Sequence, residues 1–361
     1  MRTGYEQIVA HRARMPFAYA AEQDGVVESV DPDSRMLKVK YKDGKTECVN
    51  FGEEYTTNAA NGFFVNQEIE VNNFKQGDKL KKGDIVLYNK RFFTPDKFSK
   101  QVAWNIGVLA NIALLDTDNT IEDSSMVCQS LCDELEFYPV AVKDITLTKD
   151  TNVHKFVKIG EFVRGTDPLI IFDQSATPEG MLNGADAELI AMLGDLNKAT
   201  PKAEHTGEVV QIDVIYKCDL SELSSSLREL VKSVTVLKNK RAKFAQGSSS
   251  SQKYQASNPI TISDKMGTVN LTEETVVLKF YIKQKKSLRV GDKVFFDSSL
   301  KSVVSGVVPD DIATEDPNIK ARGCTSARGI LARIITSPFS VGIPTGILEA
   351  GDQHALAIWD E

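Results

Sequence analysis

SLRVGDKVFFDSSLKSVVSGVVPDD, residues 287–311, holds two apolar runs separated by a polar triplet. Lys293 opens the first run, which ends at Phe296, and Lys301 opens the second, which ends at Val308. Asp297, Ser298 and Ser299 between them read as a turn. Two adjacent strands joined by that turn would bring both ammonium groups to one rim, about where a phosphate backbone would run. On spacing alone the ordinary reading stands beside it, because a lysine at a strand end is most often a solvated terminus.

Working outward, TVVLKFYIKQKKSLRVGDK (275–293) leads into this stretch as a long strand, and GEVVQIDVIYK (207–217) reads as a second strand with a buried face. Between them lies the clearest helical pattern, 219–245. Asp219 and Glu222 resemble a capping box, and Leu220, Leu223, Leu227, Leu230, Val231, Val234 and Leu237 keep one face apolar. Its basic end, KNKRAKFAQ, suits a helix C-terminus complementing its dipole, with nucleic-acid contact as the other reading. GSSSSQ (247–252) then reads as a linker.

Nearer the start, residues 26–41 alternate as a hairpin about the turn DPDS (31–34). Residues 55–90 carry the pair Asn66 and Gln67 and a repeated glycine-aspartate turn, in which Gly supplies the special backbone angle and Asp caps the turn. In 105–135, Glu122 and Asp123 precede Val127, Leu131 and Leu135 at helical spacing, which places the acidic pair in the first turn of a helix; there carboxylates are ordinary partners of the dipole.

With 361 residues, 42% of them hydrophobic, the chain can bury a sizeable core in two or three domains. The formal charge of −7 argues against a freestanding nucleic-acid binder with an overall positive field, but not against local basic strips inside a larger complex. Five cysteines, with Cys128 and Cys132 four apart and no second pair or nearby histidine, do not make a zinc spacing; reduced buried thiols are expected. No apolar run reaches the length of a membrane span.

The pattern R-x-G-D-K-x(7)-K-x-V-V-S-x-V-x-P at 289–309 resembles the stretch of the large β subunit of multisubunit DNA-directed RNA polymerases in which two basic residues hold the 3′ end of the transcript. Other segments resemble the same subunit in the same order: GYEQIVA with the following hairpin, the Asn66-Gln67 and G-D-x-L segment, and NTIEDSS beside the family's N-[FY]-E-D-[SA] box. FVKIGEFVRGTDPLIIF (156–172) is similar to the start of the flap, through Gly160, Val163, Gly165 and Leu169. SPFSVGIPTGILEAG (337–351) is similar to N-P-x-G-[VI]-P-S-R-M-x-x-G. The chain departs from the family at Thr120, where the box has Asn, at FDSSLKS (296–302), which replaces G-R-H-G-N-K-G, and at Gly346, which stands in the place of an arginine.

The resemblance implies an α+β, mainly β chain. Residues 1–136 and 276–361 would form a double-psi β-barrel, with 137–275 as an inserted flap that includes helix 219–245. It also implies the central to C-terminal part of a β subunit, similar to the split β chains of giant bacteriophage polymerases, in the cytoplasm of an infected bacterial host or in the virion. Lys293 and Lys301 would hold transcript phosphates; Glu122 and Asp123 would help place the nucleoside triphosphate and its Mg2+. The main metal ligands of the family are three aspartates of D-F-D-G-D on the partner β′ chain, and no D-x-D-x-D occurs here, so the chain would polymerise only with its partners: the N-terminal β part, the β′ parts, DNA template and RNA. No membrane partner is expected. The departures support an alternative, a non-catalytic assembly or regulatory protein derived from the same barrel.

Overall fold

The computed structural model describes residues 5–13, 15, 17–58, 63–96, 99–105, 107–173, 198–248, 265–266, 269–296, 300–309, 311–313, 320–332, 334 and 336–360. The chain is mainly β with a smaller helical part, an α+β arrangement. It divides into two compact units. One comprises residues 1–8, 104–137 and 285–361, and the other 9–103 and 138–284. Residues 9–103 thus fall with 138–284, whereas the sequence grouped 1–136 with 276–361. Among the described residues no helix is long and apolar enough to cross a membrane.

The larger unit is built on an antiparallel sheet whose centre is Thr275–Lys283, flanked by Pro139–Thr148 and Gly207–Tyr216. These three strands are rich in Val, Ile, Tyr and Phe, residues that pack well on a pleated surface. Asp144, Lys279 and Asp213 stand in one cross-strand row, so opposite charges meet on the outer face. Val276, Leu278, Phe280 and Ile282 turn inward into a core with Val209, Ile212, Val214 and Tyr216. The expected hairpin at 26–41 is present as Gly25–Asp31 paired with Met36–Tyr41, in a separate four-stranded sheet.

The helix Ser225–Val234 closes the larger core with Leu227, Leu230, Val231 and Val234. Its start differs from the expected one. Asp219 precedes only a single 3-10 turn, Leu220–Glu222, and makes no side-chain cap; the cap is Ser224, whose hydroxyl oxygen accepts the Leu227 amide at 3.2 Å. Its hydroxyl also donates to the Thr151 carbonyl at 2.7 Å, which fixes the helix to the neighbouring loop. Ser224→Ala is expected to lower the unfolding free energy by about 1 kcal/mol in urea denaturation, whereas Ser224→Thr keeps most of it. The helical pattern then breaks at buried Thr235, and a second helix, Val236–Phe244, carries the basic residues. Arg241 there donates to the Ser34 carbonyl at 2.9 Å and Lys38 lies 5.0 Å from the Phe244 ring, so part of this basic end is engaged with the hairpin.

Among the described residues one turn occurs four times, at Lys75–Asp78, Lys81–Asp84, Lys158–Glu161 and Arg289–Asp292. In each, the carboxylate of the fourth residue accepts the amide of the basic first residue at 2.8 to 3.1 Å, and the fourth amide donates back to the first carbonyl. The third residue is a glycine with φ near 90°, a backbone region that other L residues rarely adopt. Each turn is then clipped to a single residue, respectively Val27, Ala21, Val209 and Val304. That residue's carbonyl accepts the glycine amide, and its own amide donates to the acidic residue's carbonyl. The glycine-aspartate turns read from the sequence are therefore joints between the turn and a neighbouring segment. The fourth joint positions Lys293.

Candidate nucleic-acid interface

In the smaller unit a five-stranded sheet runs in the order Ile112–Leu114, Gly323–Thr325, Ser124–Cys128, Leu300–Val308 and Lys293–Phe296. The Arg289–Asp292 turn is held to Val304 by two hydrogen bonds of 2.8 and 2.9 Å, so the next residue, Lys293, begins its strand at a fixed place. Lys293–Phe296 pairs antiparallel with Leu300–Val308, Lys293 opposite Val303 and Phe295 opposite Lys301. Residues opposite one another share a face. Val294, Leu300, Ser302 and Val304 are buried, and Lys293, Phe295, Lys301 and Val303 are exposed on the other face. The two lysines thus sit diagonally, each facing an apolar residue across the ladder. The connecting turn, Asp297 to Ser299, lies outside the described residues.

Phe295 is 73% exposed and Val303 37%. Sequence reasoning took Phe295 as part of an apolar run and missed its outward position. The signal was there, since strict alternation starting from an exposed Lys293 turns Phe295 the same way. An aromatic ring between two ammonium groups offers a stacking surface for a base beside two charges for phosphates.

The acidic pair reaches this sheet by a route the sequence did not indicate. Glu122 and Asp123 form a turn before a strand, Ser124–Cys128; the helix starts only at Gln129 and runs to Glu134. That strand pairs in parallel with Leu300–Val308, Ser124 opposite Val303. The expected placement in a helix's first turn is therefore corrected, for a physical reason. Side-chain hydroxyls capture the turn's carbonyls: Thr120 donates to Leu115 at 2.7 Å, Ser124 to Ile121 at 2.6 Å, and Ser305 to Asn119 and to Ser125. Val127 is buried as a strand residue, and its helical spacing to Leu131 is incidental.

The Asp123 carbonyl accepts from the Ser302 hydroxyl at 2.6 Å and from the Val303 amide at 2.8 Å. The acidic turn is consequently anchored to the strand residues immediately after Lys301. Glu122 adopts a left-handed backbone, φ 56°, and a Cβ placed on Gly329 would lie 3.0 Å from its carbonyl oxygen. Glu122, Asp123, Lys293 and Lys301 are all exposed. Among the described residues, Glu122, Lys293 and Lys301 form no ion pair. Thr120, the departure from the family box, is buried and closes the 115–120 turn by accepting the Thr117 amide at 2.7 Å.

Nearby, Asp116 accepts from the Ser326 hydroxyl at 2.8 Å, which holds its carboxyl below the usual carboxylate range. Arg322 makes a two-pronged contact with Glu134, at 2.8 and 3.0 Å. Cys128 and Cys132 are buried like the other three cysteines, and all five are free; burial pushes the Cys132 thiol up. Among the described residues no group of three or more His, Cys, Asp or Glu side chains is arranged to hold a metal ion. Gly346, where the family pattern has arginine, lies in the helix Ser337–Asp360.

No protein-family model matches the chain, and a search of the curated proteins finds no match.

Proposed function

We propose that the chain is the central to C-terminal part of a split β subunit of a DNA-directed RNA polymerase, similar to those of giant bacteriophages and working in the host cytoplasm or packaged in the virion. The observation that carries this reading is one sheet edge. Lys293 and Lys301 share an exposed face, and the turn bearing Glu122 and Asp123 is hydrogen-bonded to the strand beside Lys301. A mixed sheet whose two parallel pairs join chain-distant segments supports the finer double-psi barrel reading, and a flap over 137–275 goes with it.

In this mechanism the two ammonium groups bind phosphates at the 3′ end of the transcript as point charges. Phe295 between them offers a stacking face for a terminal base. Glu122 and Asp123 orient the incoming nucleoside triphosphate from outside the main metal ligand set, which the partner chain supplies. Magnesium, when bound, neutralises the triphosphate charge. The chain's own part is to position the transcript end and the nucleotide. Charge reversal at both lysines in the reconstituted complex tests it, loss of RNA extension being expected and normal extension refuting it.

A second reading, a non-catalytic assembly protein on the same barrel, is favoured by Phe295 and Val303. Exposed apolar side chains on a sheet face are also what a covering protein would use. Under that reading the same charge reversal leaves extension intact and weakens complex formation.

A further inference from the structure

The strand Gly323–Thr325 runs antiparallel to Ser124–Cys128, with Thr325 opposite Ser125. The chain therefore leaves Gly323–Thr325 at the end of the sheet where Ser124–Cys128 begins. The helix that follows, Ala327–Ala332, starts beside the turn bearing Glu122 and Asp123. The Ser326 hydroxyl donates to the Asp116 carboxylate at 2.8 Å and accepts the Gly329 amide at 3.1 Å. The Arg328 amide also donates to Asp116, at 3.4 Å. Gly329 is thereby tied to the loop that runs from Asp116 to Asp123.

A Cβ on Gly329 would lie 3.0 Å from the Glu122 carbonyl oxygen, closer than ordinary van der Waals contact, and 3.7 Å from the Ser326 side chain. The φ of Gly329 lies outside the left-handed region, so its backbone does not call for glycine, and glycine disfavours a helix relative to alanine. What the missing side chain does is admit the Glu122 carbonyl. Three successive carbonyls of the acidic turn are then each met by a different group. Ile121 is met by the Ser124 hydroxyl at 2.6 Å, Glu122 by the helix at Gly329, and Asp123 by the Ser302 hydroxyl at 2.6 Å and the Val303 amide at 2.8 Å. Glu122, at φ 56°, holds a conformation that persists in a non-glycine residue only where its surroundings fix it. Among the described residues its side chain forms no ion pair, so its backbone is what aims its carboxylate.

We propose that Gly329 is a positioning residue for the nucleotide: packed against the Glu122 carbonyl, it sets the direction in which Glu122 and Asp123 present their carboxylates to the incoming nucleoside triphosphate. This rests on the reading that the acidic pair places the nucleotide. A side chain at 329 pushes the Glu122 carbonyl away by a few tenths of an ångström. The Asp123 carbonyl, held by Ser302 and Val303, does not follow, so the peptide between the two acidic residues turns. Misplacement by about 1 Å of a group that orients a substrate costs about a hundredfold, and a few tenths of that cost several-fold.

Single-nucleotide addition by the reconstituted complex tests it. Gly329→Ala is expected to raise KM for the nucleoside triphosphate about fivefold with kcat within about twofold. The urea midpoint of the chain stays level or rises, because alanine favours the helix. A merely structural role would lower the midpoint and leave KM alone. Glu122→Gln with Asp123→Asn is expected to raise KM by itself. Gly329→Ala added to that pair then changes KM by less than about twofold, since the groups it aims are gone. Ser326→Ala, which adds no atom and loosens the helix from Asp116, raises KM by a smaller factor than Gly329→Ala. An unchanged KM in Gly329→Ala, its full effect persisting on top of the Gln and Asn changes, or no rise in Ser326→Ala would overturn the proposal. An unchanged KM in the Gln and Asn pair removes the nucleotide role of the acidic turn and this proposal with it; a raised KM there, with Gly329→Ala silent, removes the proposal alone.

Discussion

Lys293→Glu combined with Lys301→Glu, in a complex reconstituted with its partner chains, is expected to lower RNA extension at least about a hundredfold while the chain remains folded. Each charge-assisted contact to phosphate contributes about 1.5 to 3 kcal/mol, so losing two removes about 3 kcal/mol or more, and each 1.36 kcal/mol is tenfold in rate. Reversal adds repulsion to that loss. Folding is spared because both side chains are exposed and neither takes part in an ion pair among the described residues. Extension by the wild-type complex should also weaken as salt rises, and the double variant should show a shallower dependence. Activity within a few fold of wild type would remove the transcript-holding role and leave the assembly reading.

Gly207→Ala is expected to cost about 3 kcal/mol of stability, the upper part of the usual range for an overpacked interior. A Cβ at this position would lie 2.1 Å from the Lys283 carbonyl oxygen and 2.8 Å from its carbon, both backbone atoms that cannot swing aside. Gly207 starts the strand that pairs with Thr275–Lys283, and the next residues inward, Val209 and Ile212, belong to the larger core. Relief would require the strand to move away from its neighbour and disturb the Lys283 contacts with Glu53 and Glu208. Urea denaturation followed by circular dichroism measures the change. A loss below about 1 kcal/mol would mean that the strand end yields easily.

What could be read from the sequence follows from which forces act locally. The strands at 26–41, 207–217 and 275–283 were legible because alternation of burial is written in neighbouring residues. The glycine-aspartate turns at Gly77-Asp78 and Gly83-Asp84 are legible because only a few residue types fit that turn, whereas the same turn at Gly160-Glu161 carries glutamate in place of aspartate and gives no such signal. The strand Ser124–Cys128 was not legible. Its pairing partner is Leu300–Val308, and no local pattern announces a parallel contact with so distant a segment, while Val127 and Leu131 happened to fall at helical spacing. The break at Thr235 was missed for a related reason. A continuous apolar stripe fits one helix or two, and capping by Ser224 rather than Asp219 depends on which side chain reaches the Leu227 amide.

At the candidate site, the closeness of the two lysines followed from the hairpin-like spacing, and the structure adds their diagonal placement about Phe295. The nearness of Glu122 and Asp123 to Lys301 came from the resemblance and not from any local physics. Its structural basis, Ser302 and Val303 binding the Asp123 carbonyl, has no sequence signature of its own.

The most direct measurement is covalent mapping of the transcript end. A reconstituted elongation complex is assembled on RNA carrying a lysine-reactive group at its 3′-terminal phosphate, and the labelled peptides of this chain are identified. The expected result is label on Lys293 or Lys301, lost when the corresponding lysine is changed to glutamine. Label confined to lysines of residues 9–103 or 138–284, or absent from this chain while the partner chains are labelled, would contradict the assignment.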